Sequence, residues 1–145
     1  MRRPVVVLAS CCIGFSLVAG ASATIKPSRG MSGIALGMTP AQVQAKLGRP
    51  GAKAPGRWYY PRLWVGFRGL RVVEVTTVRS AERLANGLGV DSTEAQVRAA
   101  LPQVSCAAVV PFRRCRLGSS APGSRVTDFM IGRGRVLQIT IQQLP

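Results

Sequence analysis

The chain carries a template of itself. Gly33–Leu47 lies over Gly87–Leu101 at a constant offset of 54, with seven identical pairs that include Thr39/Thr93, Gln42/Gln96, Val43/Val97 and Leu47/Leu101. A shorter block, Arg71–Thr76, matches Arg135–Thr140 at an offset of 64. The ten residues gained by the second copy fall between the blocks, where Cys106 and Cys115 also lie. Self-similarity of this kind points to one supersecondary unit used twice.

Each copy opens with a helix start. Thr39 is an N-cap, Pro40 takes the first helical position where its missing N–H costs nothing, and Gln42 completes a capping box. Met38 and Val43 stand at the positions of a hydrophobic staple; Ser92 replaces Met38 in the second copy, so the staple is lost there. Thr93 and Gln96 repeat the box, and Glu94 adds a favourable charge in the first turn. Gly48 with Pro50, and Pro102, stop the helices. Helices this short are marginal alone and need a sheet to lie on.

The residues after each helix supply one. Arg57–Tyr60, Leu63–Phe67 and Arg71–Thr77 read as three strands, and Gly69 and Gly134 suit hairpin turns. Alternation puts Leu63, Val65, Phe67, Val73 and Val75 on the core face, with Trp64, Arg68, Val72, Glu74 and Thr76 opposite. In the second copy Phe129, Ile131, Leu137, Ile139 and Ile141 face the core. Asp128, Met130, Val136, Gln138 and Thr140 face away. The expectation is an α+β fold of two tandem helix-plus-antiparallel-sheet units: a signal peptide at 1–23, a linker at 24–31, unit 1 at 32–80, and unit 2 at 81–145 with an inserted cystine hairpin.

The signal-peptide reading rests on Met1-Arg2-Arg3 as a positive n-region, an apolar run from Val5 to Ala19, and Ala21-Ser22-Ala23 as an A-x-A cleavage pattern. The run is shorter than the roughly 17–25 residues of a spanning helix. An uncleaved anchor and a lipidated Cys11, in Leu8-Ala9-Ser10-Cys11, are the alternatives. Export places the mature chain in the extracellular space, the periplasm or the envelope. Cleavage removes Cys11 and Cys12. Cys106 and Cys115 then remain in an oxidising compartment, where they pair with each other.

Charge and composition exclude several function classes. The chain has 20 Lys+Arg against 5 Asp+Glu and no histidine. Imidazole-based nucleophile systems and the usual zinc sets are therefore out, and few acids remain for paired-carboxylate chemistry. No G-x-S-x-G, S-x-x-K or phosphate-cradling loop is present. Neither a catalytic residue, a metal nor a cofactor is expected. The arginines are scattered rather than clustered on one helix, and an exported chain rarely meets nucleic acid, so no nucleic-acid partner is expected. Attraction to an anionic envelope polymer or lipid surface remains open on charge alone.

The run from Gly33 to Pro50, followed by Trp58-x-Tyr60, resembles the SmpA/OmlA (BamE-like) outer-membrane assembly family. Its tandem use is similar to the β-lactamase-inhibitor-protein architecture. The matching positions are mostly caps, stops and core, so the resemblance implies fold, envelope location and a non-catalytic binding character. The family's members carry a single unit and a well-placed lipid cysteine, from which this chain departs.

The expected function is recognition of a macromolecular partner, a protein, through the sheet face opposite the helices. Trp64, Tyr59, Arg57 and Arg68 are the candidate contacts, residue types enriched at binding hot spots. The duplicate carries Asp128 where the first copy has Trp64, so the copies agree in core and differ in surface. The identity of the partner and the oligomeric state stay open.

Overall fold

The computed structural model describes residues 23–145, so the signal-peptide reading falls, but for Ala23, outside the described residues. The chain runs β1 (Ile25–Lys26), β2 (Gly30–Met31), β3 (Ile34–Ala35), α1 (Pro40–Leu47), β4 (Ala52–Ala54), β5 (Arg57–Tyr60), β6 (Leu63–Arg68) and β7 (Arg71–Thr77). There follow α2 (Glu94–Ala100), β8 (Ser105–Val109), β9 (Phe112–Leu117), β10 (Arg125–Gly132) and β11 (Arg135–Gln143). Both capping boxes form. The Gln42 and Gln96 N–H groups donate to Thr39 Oγ1 and Thr93 Oγ1 at 3.3 and 3.1 Å, and the two threonine N–H groups donate back at 2.8 Å.

The expected fold class is overturned. The molecule is mostly β, and the two helices lie on a single eight-stranded antiparallel sheet of order β4-β5-β6-β7-β11-β10-β9-β8. The two halves do not close as separate helix-plus-sheet units because β7 and β11 pair with each other, Thr77 to Ile139, Thr76 to Thr140, Val75 to Ile141 and Glu74 to Gln142. Two separate sheets would each leave a strand edge with unpaired N–H and C=O groups. Pairing removes both edges and merges the apolar faces into one core. The first half also supplies a fourth strand, β4, that alternation did not signal. The cystine hairpin is not an appendage: β8 and β9 are the last two strands of the sheet, with Cys106 and Cys115 bonded as directly opposite partners.

The expected linker at 24–31 is structured as well. It holds β1 and β2, which with β3 make a separate three-stranded sheet. Ile25, Met31 and Ile34 are buried in the common core. Thr24 and Ile25 donate to the Arg83 carbonyl, and Ser28 N–H donates to Thr127 Oγ1, tying this segment to distant parts of the chain. A linker needs polar, flexible composition; the large apolar side chains of Ile25 and Met31 within it are the signal that argued otherwise.

The core face of the large sheet carries α1, α2 and the small sheet. Val43 and Val97 are fully buried, Leu101 is buried and Leu47 half-buried. Face assignments in both copies are corrected. Val72 and Val136 are buried and Leu137 is 44% exposed, the reverse of strict alternation. The cause is a pair of β-bulges. Register slips between Gly66/Phe67 and between Met130/Ile131, so Phe67 pairs with Val72 and Ile131 with Val136. Val73 and Leu137 are left as the extra residues, and the inward side of the strand shifts by one.

Candidate functional site

The opposite face of the large sheet is open. Register places one row of residues across all eight strands: Ala52, Tyr59, Trp64, Thr76, Thr140, Asp128, Arg116 and Ser105 are successive cross-strand partners. Cross-strand partners project from the same side of a sheet, so this row is a continuous strip of side chains. At its centre Thr76 Oγ1 and Thr140 Oγ1 lie 2.9 Å apart, bridging the β7–β11 seam. A depression of about 320 Å³ sits over this centre. Trp64 and Arg57 form one wall, Arg114 and Asp128 the other, and Gln138 and Gln142 the floor between.

Two ion pairs brace the depression. Arg116 Nε and Nη2 donate to Asp128 Oδ1 and Oδ2 at 2.7 and 2.6 Å, and Gln142 Nε2 adds a third bond to Asp128 at 2.8 Å. The Arg116 and Asp128 side chains are only 11% and 7% exposed. The hydrogen bond to Asp128 raises the Arg116 pKa further, against the opposing cost of burial. Across the seam Arg57 Nη2 donates to Glu74 Oε1 and Oε2 at 3.0 and 3.2 Å. Gly66 makes that reach possible: it lies between the two in register, and a Cβ there would come within 3.0 Å of Glu74 Cβ. Among the described residues the five ion pairs leave Arg114 without a carboxylate partner.

The structure brings together three of the four expected contacts. Trp64 and Arg57 line the depression, and Tyr59, 39% exposed, stands beside it on β5 as the cross-strand partner of Trp64. Arg68 stands apart, exposed at the end of β6 opposite Arg71. Trp58 faces the other way, its ring centroid 4.9 Å from that of Phe67 with Lys53 Nζ 4.2 Å from the ring centre. Sequence reasoning missed Arg114, Arg116 and Gln142. A signal existed: Arg114 and Arg116 flank Cys115, and a cystine that faces the core sends both neighbours to the open side.

Metal chemistry finds little footing among the described residues. Ligand atoms of Glu94, Cys106 and Cys115 lie within 4.8 Å of one another. Both sulfurs are bonded to each other, and Glu94 accepts hydrogen bonds from Arg98 and Arg113. No helix among the described residues is long and apolar enough to cross a membrane.

No protein-family model matches the chain, and no curated protein matches it. Two solved structures share its fold. One is an extracellular protein containing an SCP domain from Bacillus anthracis str. Ames, with a TM-score of 0.53 at 11% identity over 74% of this chain. This chain spans only 44% of that protein. The other is a DUF4309 family protein (YjgB) from Bacillus subtilis subsp. subtilis str. 168, with a TM-score of 0.55 at 13% identity, covering 85% of this chain and 89% of that one. Neither is described as an SmpA/OmlA protein or a β-lactamase inhibitor. At these identities the likeness concerns the fold.

Proposed function

We propose that the protein is exported and works as a non-catalytic binding module of the cell envelope or extracellular space, holding a protein partner against its open sheet face. The observation that carries this reading is the position of Trp64. It lies in the eight-strand row and walls a depression in which Arg57 is fixed to Glu74, Thr76 to Thr140, and Asp128 to Arg116 and Gln142. A surface with its hydrogen bonds made before contact loses little side-chain freedom on binding. The aromatic ring and the unpaired Arg114 then supply the contacts that a partner can complete. The core disulfide supports export, since such bonds persist in oxidising compartments. The signal-like leader and the extracellular neighbour point the same way.

The test is Trp64→Ala. It is expected to leave stability within about 1 kcal/mol, because the side chain is only half-buried on an open face. It should also abolish capture of a partner from envelope extract at high salt, where screening removes adsorption by charge alone. Loss of folding in this variant, or unchanged salt-resistant capture, would remove the open face from the reading.

A further inference from the structure

We propose a second interaction surface, which adjoins the open-face depression at Arg114: the β8–β9 hairpin tip docks the protein on bilayers of anionic lipid. Two hairpin turns stand side by side at one end of the large sheet, Val110-Pro111 between β8 and β9 and Arg133-Gly134 between β10 and β11. The register of Arg113 with Ile131, and of Gly132 with Arg135, brings them together. Val110 is 91% exposed, and Val109, Phe112 and Leu137 are exposed too. Phe112 and Leu137 meet over Gly132, where an added Cβ would lie 3.2 Å from Phe112 Cδ1 and would overlap the Leu137 side chain. These residues make one apolar surface with Arg133 on its rim. Folding gives no reason for it, since Leu137 is a bulge residue pointing out of the core and Val110 caps a turn.

The charges around the tip select the partner. Arg113, Arg114, Arg133 and Arg135 surround it, against Asp91 and Glu94 at the same end of the sheet. Glu94 is taken by Arg98 and Arg113, and Arg135 donates to the Asp91 backbone carbonyl at 2.8 Å. Arg114 and Arg133 are left without a carboxylate partner among the described residues. Apolar side chains beside free arginines suit the boundary between anionic headgroups and acyl chains, which interfacial elements enter by about 5–10 Å. Only the turn needs to enter, and Pro111 brings no N–H that would go unsatisfied there. A protein partner fits less well: four side chains on a protruding tip fall far short of the roughly 800 Å² per partner of a stable interface.

The experiment uses the oxidised chain from Thr24 onward, the exported form without its apolar leader, and vesicles of phosphatidylcholine alone or mixed with phosphatidylglycerol. Binding to the mixed vesicles and little to the neutral ones is expected. Val110→Asp, at a site too exposed to disturb folding, should lower partition at least about tenfold. Arg133→Ala should lower it about fivefold, as one basic residue near an anionic surface does. In the Val110→Trp variant, emission should shift to the blue on the mixed vesicles and be quenched by lipids brominated in their acyl chains. Trp64→Ala should bind vesicles as the parent does, which separates this surface from the open face. The proposal is overturned if Val110→Asp binds like the parent, if the Val110→Trp emission stays unmoved, or if soluble polyphosphate displaces the protein from mixed vesicles without any such emission change having occurred.

Discussion

Asp128→Ala is expected to cost about 3–5 kcal/mol, the penalty for stranding one member of a buried ion pair. The magnitude follows from what Arg116 would lose. Two charge-assisted bonds of 2.7 and 2.6 Å disappear together, and a side chain with 11% of its surface in water cannot recover that hydration. Gln142 loses its acceptor at the same time. A domain of this size holds about 5–15 kcal/mol in all, so the variant should unfold at a much lower urea concentration with an unchanged slope. Tryptophan fluorescence during urea titration reads this directly. The control is Arg116→Met with Asp128→Leu, which removes both charges and should recover most of the loss, because paired burial is near neutral against apolar packing. A single-variant cost below about 1 kcal/mol would show that water solvates this pair, and the preformed wall of the depression would go with it.

Three further outcomes are expected. Val136→Ala should destabilise by at least about 1 kcal/mol more than Leu137→Ala, although leucine is the larger loss, and equal costs in urea titration would contradict the bulge. Replacing Cys106 and Cys115 by serine should cost about 2–3 kcal/mol for a loop of this length, read by the shift in urea midpoint. Glu94 is held below its usual value of 4.5 by hydrogen bonds from Arg98, aided by the charge of Arg113. A lowered carboxyl contributes stability above the unfolded-state value and loses it as pH falls through the folded one. Glu94→Gln should therefore make stability fall less steeply below about pH 4.5, and an unchanged pH profile would show that these contacts do not persist in solution.

Local chemistry was legible in the sequence, and long-range pairing was not. Thr39 and Thr93 declare both helices because a cap and a glutamine, with Pro40 in the first and Glu94 in the second, act within four residues. The cysteine pair was readable for a similar reason: compartment and count leave one partner. The bulges were hidden, since neither Val73 nor Leu137 differs in type from a residue that would face inward. The β7–β11 seam was hidden too. Nothing in Arg71–Thr77 distinguishes a strand that ends its sheet from one that accepts another strand, because the deciding hydrogen bonds are backbone groups common to all residues. For the open face, period 2 correctly put Trp64, Glu74 and Thr76 on one side. Arg68 lies apart from the depression, at the end of β6, because alternation gives the face of a residue and not its distance along the strand from the centre.

The place of β11 has a consequence for how the molecule comes into being. This strand follows every other strand in the chain, yet it sits between β7 and β10 in the middle of the sheet. During synthesis the meander from β4 to β7 can form early from neighbours in sequence. It must then wait, with the outer edge of Glu74 to Thr77 unpaired, until β8, β9 and β10 have emerged and β11 arrives to close the gap. Non-local pairing of this kind is slow, and a waiting edge is open to pairing with another chain. The nascent protein is thus most vulnerable at the seam that later binds its two halves together.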